Sequence, residues 1–220
     1  MPDREGVIKF ALDFRPGPPP AVELLGELEA WRQIFHQLGL LGQDPARYDG
    51  LGFGNLSRRA ADSDAADAFI ISGTQTGVLE RLAPEHYVKV RTCDPEHNRV
   101  EAEGPLHPSS EALSHGVLYR ASRRIDWVMH LHSPAIFAAR QRLQLPTTDP
   151  LAAYGSPQMA AEVVRLCPQA GWPGLLVMGG HEDGILAFGA TAAATGSLVV
   201  RTLAAALACC RHPATDHKDR

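Results

Sequence analysis

Apolar positions in this chain fall into two patterns, short alternating or continuous runs and longer stretches in which they recur every three or four residues. Side chains on a strand alternate between faces, and those on a helix return to one face every 3.6 residues or so, so the two patterns read as strands and helices respectively. Residues 7–14 alternate as a strand, and the run Arg15-Pro-Gly-Pro-Pro-Pro20 predicts a loop after it. From 22 to 40, Leu24, Leu25, Leu28, Trp31, Ile34, Phe35 and Leu38 mark one buried helix face, closed by Gly39 and Gly42. Residues 68–72 form a buried strand, and 87–91 and 99–103 two strands of a hairpin. A helix opens at Pro108-Ser109 and runs to about 122, with Leu113, Val117 and Ala121 spaced by four. Strand 127–132 and helix 135–143 follow, then a helix from Ser156 and Pro157 to 166. Strands at 175–178 and 184–188 precede a final helix over 191–209. The expected fold is α/β, with a mixed or largely antiparallel sheet covered by helices on both faces.

The chain divides by composition into an N-terminal strand and Pro-rich loop (1–20), one domain (21–210) and a polar tail (211–220). Composition is ordinary for a globular protein: 45% hydrophobic, 21% charged and a formal net charge of −4. That balance gives no reason to expect nucleic acid or an anionic membrane as partner. The apolar segment 198–210 is broken by Arg201 and falls short of the roughly 20 residues of a membrane span. The first six residues carry charge rather than an apolar run, and Cys93, Cys167, Cys209 and Cys210 make no C-x-x-C pair. A cytoplasmic location is expected, with the cysteines used in packing.

Chemistry concentrates in a few places. His130 and His132 stand two apart in a strand and emerge on one face, which supplies half of a tetrahedral metal shell; hydrogen-bonded core histidines are the alternative. The run Gly50-Leu-Gly-Phe-Gly-Asn-Leu-Ser57 reads either as a turn into a strand or as a close approach of backbone and Asn55 to a ligand. Ser72-Gly-Thr-Gln-Thr-Gly77 is a loop of hydroxyls and amides suited to a small oxyanion. Ser109 and Ser110 offer donors at a helix start, and Glu111, in the first turn, is either a site carboxylate or a stabiliser of the helix dipole. Arg58 and Arg59 are left outside the site, and His86, His97 and His107 are expected to be solvated.

Taken in order, Gly54-Asn-Leu-Ser57, Ile71-Ser-Gly-Thr74, Glu103-Gly-Pro, Pro108-Ser-Ser-Glu111, His130-Leu-His132 and Gly180-His181 make the chain resemble the class II aldolase/adducin family. That resemblance implies a three-layer α/β/α fold around a largely antiparallel sheet, assembled as a homotetramer. It implies one divalent ion per chain, zinc first with manganese or cobalt as alternatives, on His130, His132 and His181, with Glu111 as acid/base group. Asn55, Ser72, Gly73, Ser109 and Ser110 match positions that hold a substrate phosphate. The implied reaction is aldol cleavage or condensation of a small ketose or sugar phosphate through a metal-stabilised enediolate. Epimerase, dehydratase and non-enzymatic adducin-like members define the alternatives. Two features depart from the family's aldolases: only 48 residues separate His132 from His181, and no tyrosine follows Tyr154. Asp149, Tyr154 and Asp183 are candidates for a second acid/base group.

Overall fold

The computed structural model of the protein describes residues 7–60, 65 and 67–211. Among these, ten strands form: β1 (Ala11–Pro16), β2 (Gly42–Gln43), β3 (Gly52–Phe53), β4 (Asn55–Arg59), β5 (Phe69–Ser72), β6 (Tyr87–Asp94), β7 (Arg99–Gly104), β8 (Trp127–His132), β9 (Gly174–Val177) and β10 (Gly184–Gly189). Five α-helices join them: α1 (Gly26–Gln37), α2 (Ala112–Ala121), α3 (Pro134–Ala139), α4 (Pro157–Leu166) and α5 (Ala192–Arg211). Eight strands make one sheet in the order β1-β7-β6-β5-β4-β8-β10-β9, and β2 and β3 pair separately. Only the β1–β7 pair is parallel among these ladders.

Period-two alternation sorts the sheet's side chains into two cores. Phe69, Ile71, Val88, Val90, Val128 and Leu186 pack under α2 and α4, against Leu113, Val117, Met159 and Val163. Ile70, Met129, Leu131, Val177 and Ile185 point the other way, under α1, α3 and α5. The expected three-layer α/β/α arrangement and mostly antiparallel sheet are therefore present.

Several boundaries differ from the sequence reading: α1 starts at Gly26 rather than 22, α3 ends at Ala139 rather than 143, and β2 and β3 form where no strand was expected. The first strand spans Ala11–Pro16 and runs into the Pro-rich stretch rather than stopping at Phe14. The N–H groups of Ala11 and Gly17 point to β7, so position 16 faces the open edge, where proline's missing N–H costs nothing. The second helix begins at Ala112, with Glu111 at its N-cap rather than inside the first turn. A bridge between Gly73 and Pro108, and a bond from Thr74 N–H to the His107 carbonyl (3.0 Å), hold the approach to α2 extended. The last helix runs on to Arg211 rather than ending at 209, and its Ala192–Cys209 stretch, longer than the 198–210 apolar segment, gives 18 residues of mean hydropathy 1.5, long and apolar enough by composition to cross a membrane. In this fold it packs on β8, β9 and β10 and against α3.

Two residues fix the position of α2. Arg59 donates to the Tyr119 (3.1 Å), Ser122 (2.9 Å) and Ile125 (2.7 Å) carbonyls, capping the helix's negative end rather than serving a site. Gly116 lets the helix approach β6 so closely that a Cβ there would lie 2.3 Å from Cys93 Sγ. Gly116→Ala is therefore expected to lower stability by about 1–3 kcal/mol through overpacking, despite alanine's better helix propensity. Thermal denaturation checks this, and an unchanged or raised midpoint would show that Cys93 gives way freely.

Candidate metal centre

β8 pairs with β4 on one side and β10 on the other, placing His130 opposite both Asn55 and Leu186, and His132 opposite Gly184. Both imidazoles share the face of Val128 and are fully buried. His181 comes from the turn between β9 and β10, where its N–H bonds to the Met178 carbonyl (3.0 Å) and its carbonyl receives Gly184 N–H (3.0 Å). That hairpin returns the chain beside the end of β8. The three rings stand 4.7–5.0 Å apart between centroids.

The cluster has the dimensions of a metal shell. One ligand atom from each histidine lies within 4.8 Å of the others, and the Nε2 atoms of His130 and His132 are 3.2 Å apart. Two nitrogens at about 2.05 Å from a tetrahedral ion are themselves separated by about 3.3 Å. His130 Nδ1 sits 3.2 Å from the Ile185 carbonyl, which accepts its proton and leaves Nε2 as a lone-pair donor toward the cluster. Burial first, then repulsion from His181, holds His130 and His132 well below the ordinary histidine range, so both are neutral as ligands must be.

Glu111 completes the constellation from the start of α2. Its Oε1 lies 3.7 Å from His181 Nδ1, and Ser114 donates to Oε2 at 2.7 Å, which orients the carboxylate. The helix has turned this acid inward: it is 1% exposed.

A small polar cavity adjoins these elements. Its walls are the backbone of Gly52, Gly54 and residues 73–77 together with Asn55, Ser109 and Ser110. Gly54 adopts φ +77 with Leu41 Cβ only 2.5 Å from where a Cβ would sit, so only glycine fits this approach. The Asn55 amide oxygen is buried and has no hydrogen-bond partner among the described residues, as suits an atom reserved for a ligand. Of the sequence-selected residues, Asn55, Gly73, Ser109 and Ser110 line the cavity. Ser72 is buried at the end of β5 and lies outside its lining.

The three candidates for a second acid/base group separate in space. The Tyr154 ring lies 4.7 Å from the His181 ring at an interplanar angle of 57°, with Lys9 Nζ 3.7 Å above its own ring. Asp183 accepts from Tyr48 Oη at 2.9 Å, and the Tyr48 ring lies 4.6 Å from that of His132. Asp149 faces a surface cleft with Arg140, Glu162 and Arg165 and accepts from Leu151 N–H instead. Tyr48 escaped the sequence reading because its position depends on two non-glycine residues in the left-handed region, Tyr48 at φ 51 and Asp49 at φ 56, ahead of Gly50 at φ 71, and their residue types do not announce that conformation. Of the three histidines expected to be solvated, His97 and His107 are exposed, whereas His86 is half-buried and its Nδ1 accepts Ala83 N–H at 3.0 Å.

A mixed α/β sheet carrying a buried three-histidine cluster beside a carboxylate defines the class: a fold with a preformed site of divalent-metal dimensions. The chain belongs to the family described as class II aldolase and adducin N-terminal domain, whose model matches residues 44–202. Similar solved structures include L-fuculose-1-phosphate aldolase from Thermus thermophilus, at 17% identity and TM-score 0.65, covering 87% of this chain and 95% of that one. A sugar-phosphate aldolase from Thermotoga maritima aligns at 13% identity and TM-score 0.67, covering 86% and 94%. The N-terminal class II aldolase domain of a conserved Thermoplasma acidophilum protein aligns at 16% and TM-score 0.59, covering 87% and 96%. No curated protein matches the sequence.

Beneath the cluster, Ser57 Oγ bridges His115 Nδ1 (2.6 Å) and Tyr119 Oη (2.7 Å) between β4 and α2. Burial holds His115 down to about 3 from an ordinary 6.5. The unfolded chain takes up this proton below about 6.5 while the folded chain resists until about 3, so stability falls as pH falls across that interval. In metal-free protein, His115→Gln is expected to flatten the pH dependence of the urea-denaturation free energy by up to about 1.4 kcal/mol per pH unit. An unchanged slope would mean that His115 titrates alike in both states.

Proposed function

We propose that this protein is a divalent-metal-dependent carbon–carbon lyase of the aldolase type, acting on a small phosphorylated ketose. The observation that carries the reading is the convergence of His130, His132 and His181, with ligand atoms within 4.8 Å of one another, on the carboxylate of Glu111. A purely structural role leaves that arrangement without a reason, since three buried imidazoles and an acid are costly to desolvate unless something pairs with them.

His130, His132 and His181 would hold one ion, with zinc first by the all-nitrogen donor set and manganese or cobalt as alternatives. Such an ion supplies Lewis-acid withdrawal of electron density from a substrate carbonyl. Glu111 then moves the proton: with Oε2 held by Ser114, Oε1 faces the cluster and delivers a proton to the carbon left behind when the carbon–carbon bond breaks, or removes it in the condensation direction. Asn55, Ser109 and Ser110, with the backbone of residues 73–77, would bind the phosphate through neutral donors. Tyr154 and Asp183 stand on the cluster side as candidates for the second proton transfer. We place the protein in the cytoplasm as a homo-oligomer, a tetramer by likeness to its family.

Elemental analysis of protein purified without chelator is expected to find about one zinc, manganese or cobalt ion per chain, lost in the His130→Ala, His132→Ala double variant. Glu111→Gln is expected to keep the ion and lose at least about a hundredfold in kcat on a cleaved ketose phosphate. Two carbonyl fragments as products support the lyase. A product of unchanged mass would mark an epimerase and loss of water a dehydratase, while a chain that stays empty with every ion would move the adducin-like interaction role to the front.

A further inference from the structure

Arg32 is a charged residue that the site reading does not use, and it is 3% exposed. It lies on α1, whose other inward positions, Leu28 and Phe35, are apolar. Its guanidinium reaches the far side of the oxyanion loop, where NH1 donates to the Glu80 carbonyl at 2.8 Å and NH2 donates to the carbonyls of Thr76 (3.2 Å) and Leu79. No carboxylate lies within ion-pair distance of it among the described residues. A buried cation is thus spent on three carbonyls of one short segment.

The direction of those bonds decides what the loop shows to the cavity. In a trans peptide the carbonyl and the next N–H point opposite ways. With the Thr76 carbonyl drawn to Arg32, Gly77 N–H faces away from it, and Gly77 lines the cavity. That N–H has no partner among the described residues, while Thr76 Oγ1 closes the same turn on the Gly73 carbonyl at 2.9 Å. The cavity's own lining carries no charged side chain, so Arg32 behind the loop is a source of positive potential close to a bound anion.

Resting on the reading of this cavity as the phosphate site, we propose that Arg32 is a positioning residue that sets its affinity for a dianionic phosphate without touching the ligand. It does so by fixing the peptide between Thr76 and Gly77 with the N–H inward and by placing a buried positive charge behind it, which the Glu29 carboxylate one turn earlier offsets in part. Glu29, three residues earlier, accepts from Leu82 N–H (3.0 Å) just beyond that segment and from Tyr87 Oη (3.0 Å) on β6, and it attracts Arg32 electrostatically. Its neutral variant therefore loosens the surroundings while keeping the Arg32 charge, which is the comparison that a merely structural role demands.

The test is calorimetric titration of the metal-loaded full chain with inorganic phosphate, for wild type, Arg32→Met, Arg32→Lys and Glu29→Gln, with metal content measured on each. Arg32→Met is expected to weaken phosphate binding by at least about tenfold, Arg32→Lys by about threefold because the charge stays and the fork is lost, and Glu29→Gln by less than about twofold. Metal content is expected to stay at the wild-type level in all four. Wild-type affinity in a folded Arg32→Met protein overturns the proposal, as does an equal loss in Glu29→Gln, which would reduce the effect to general loosening of the loop. Should Arg32→Met fail to fold, Arg32→Lys decides by the same comparison. A wild type that binds metal but no phosphate overturns the phosphate reading of the cavity itself and takes the proposal with it.

Discussion

The pairing of β8 between β4 and β10 is the constraint on which the rest depends. Both edges of β8 are satisfied by antiparallel ladders, and its six residues are all buried. Because side chains alternate with period two, a slip of one residue against β4 would send His130 and His132 into the α1/α3/α5 core and bring Met129 and Leu131 onto the site face. Dense apolar packing on both faces forbids that slip. The candidate metal centre is thus held by the same interaction that holds the sheet together.

α2 is the second shared support. Its start supplies Glu111 and Ser114, its approach supplies Ser109 and Ser110, and the Gly73–Pro108 bridge ties that approach to the end of β5. Further along, His115 and Tyr119 share Ser57 of β4, and Arg59 caps the helix end. A buried polar network of this kind leaves few alternative positions, since any shift exposes unpaired groups to a low-dielectric interior. The proton transfer proposed at the cluster and the anion binding proposed in the cavity would therefore rest on one helix.

Similarity to solved aldolase-family structures at 13–17% identity shows how little of the sequence this framework requires. What must persist is backbone geometry: strand pairing, close approach at glycine, and a helix start beside a strand end. Under the proposed function, reaction type would turn on groups that ring this frame, and Tyr48, Tyr154 and Asp183 are the candidates nearest the cluster. They come from loops, where side-chain identity changes without disturbing the sheet.

The sequence by itself determined most of what is local. Alternation and helical spacing located all five α-helices and most of the strands but not β2 or β3, the Ser156-Pro157 cap marked α4, and the spacing of His130 and His132 put two imidazoles on one face. Residue types marked Asn55, Ser72, Gly73, Ser109 and Ser110 as candidates, and all but Ser72 line the cavity. Tertiary structure alone decided the remainder. It carried β1 through Pro16, because only the sheet's edge tells which N–H is dispensable, and it turned Asp149 out to a surface cleft. It also brought Tyr48 to His132 and Arg32 to the carbonyls of a loop more than 40 residues away, since long-range approach depends on the packing of whole layers and leaves no trace in local periodicity.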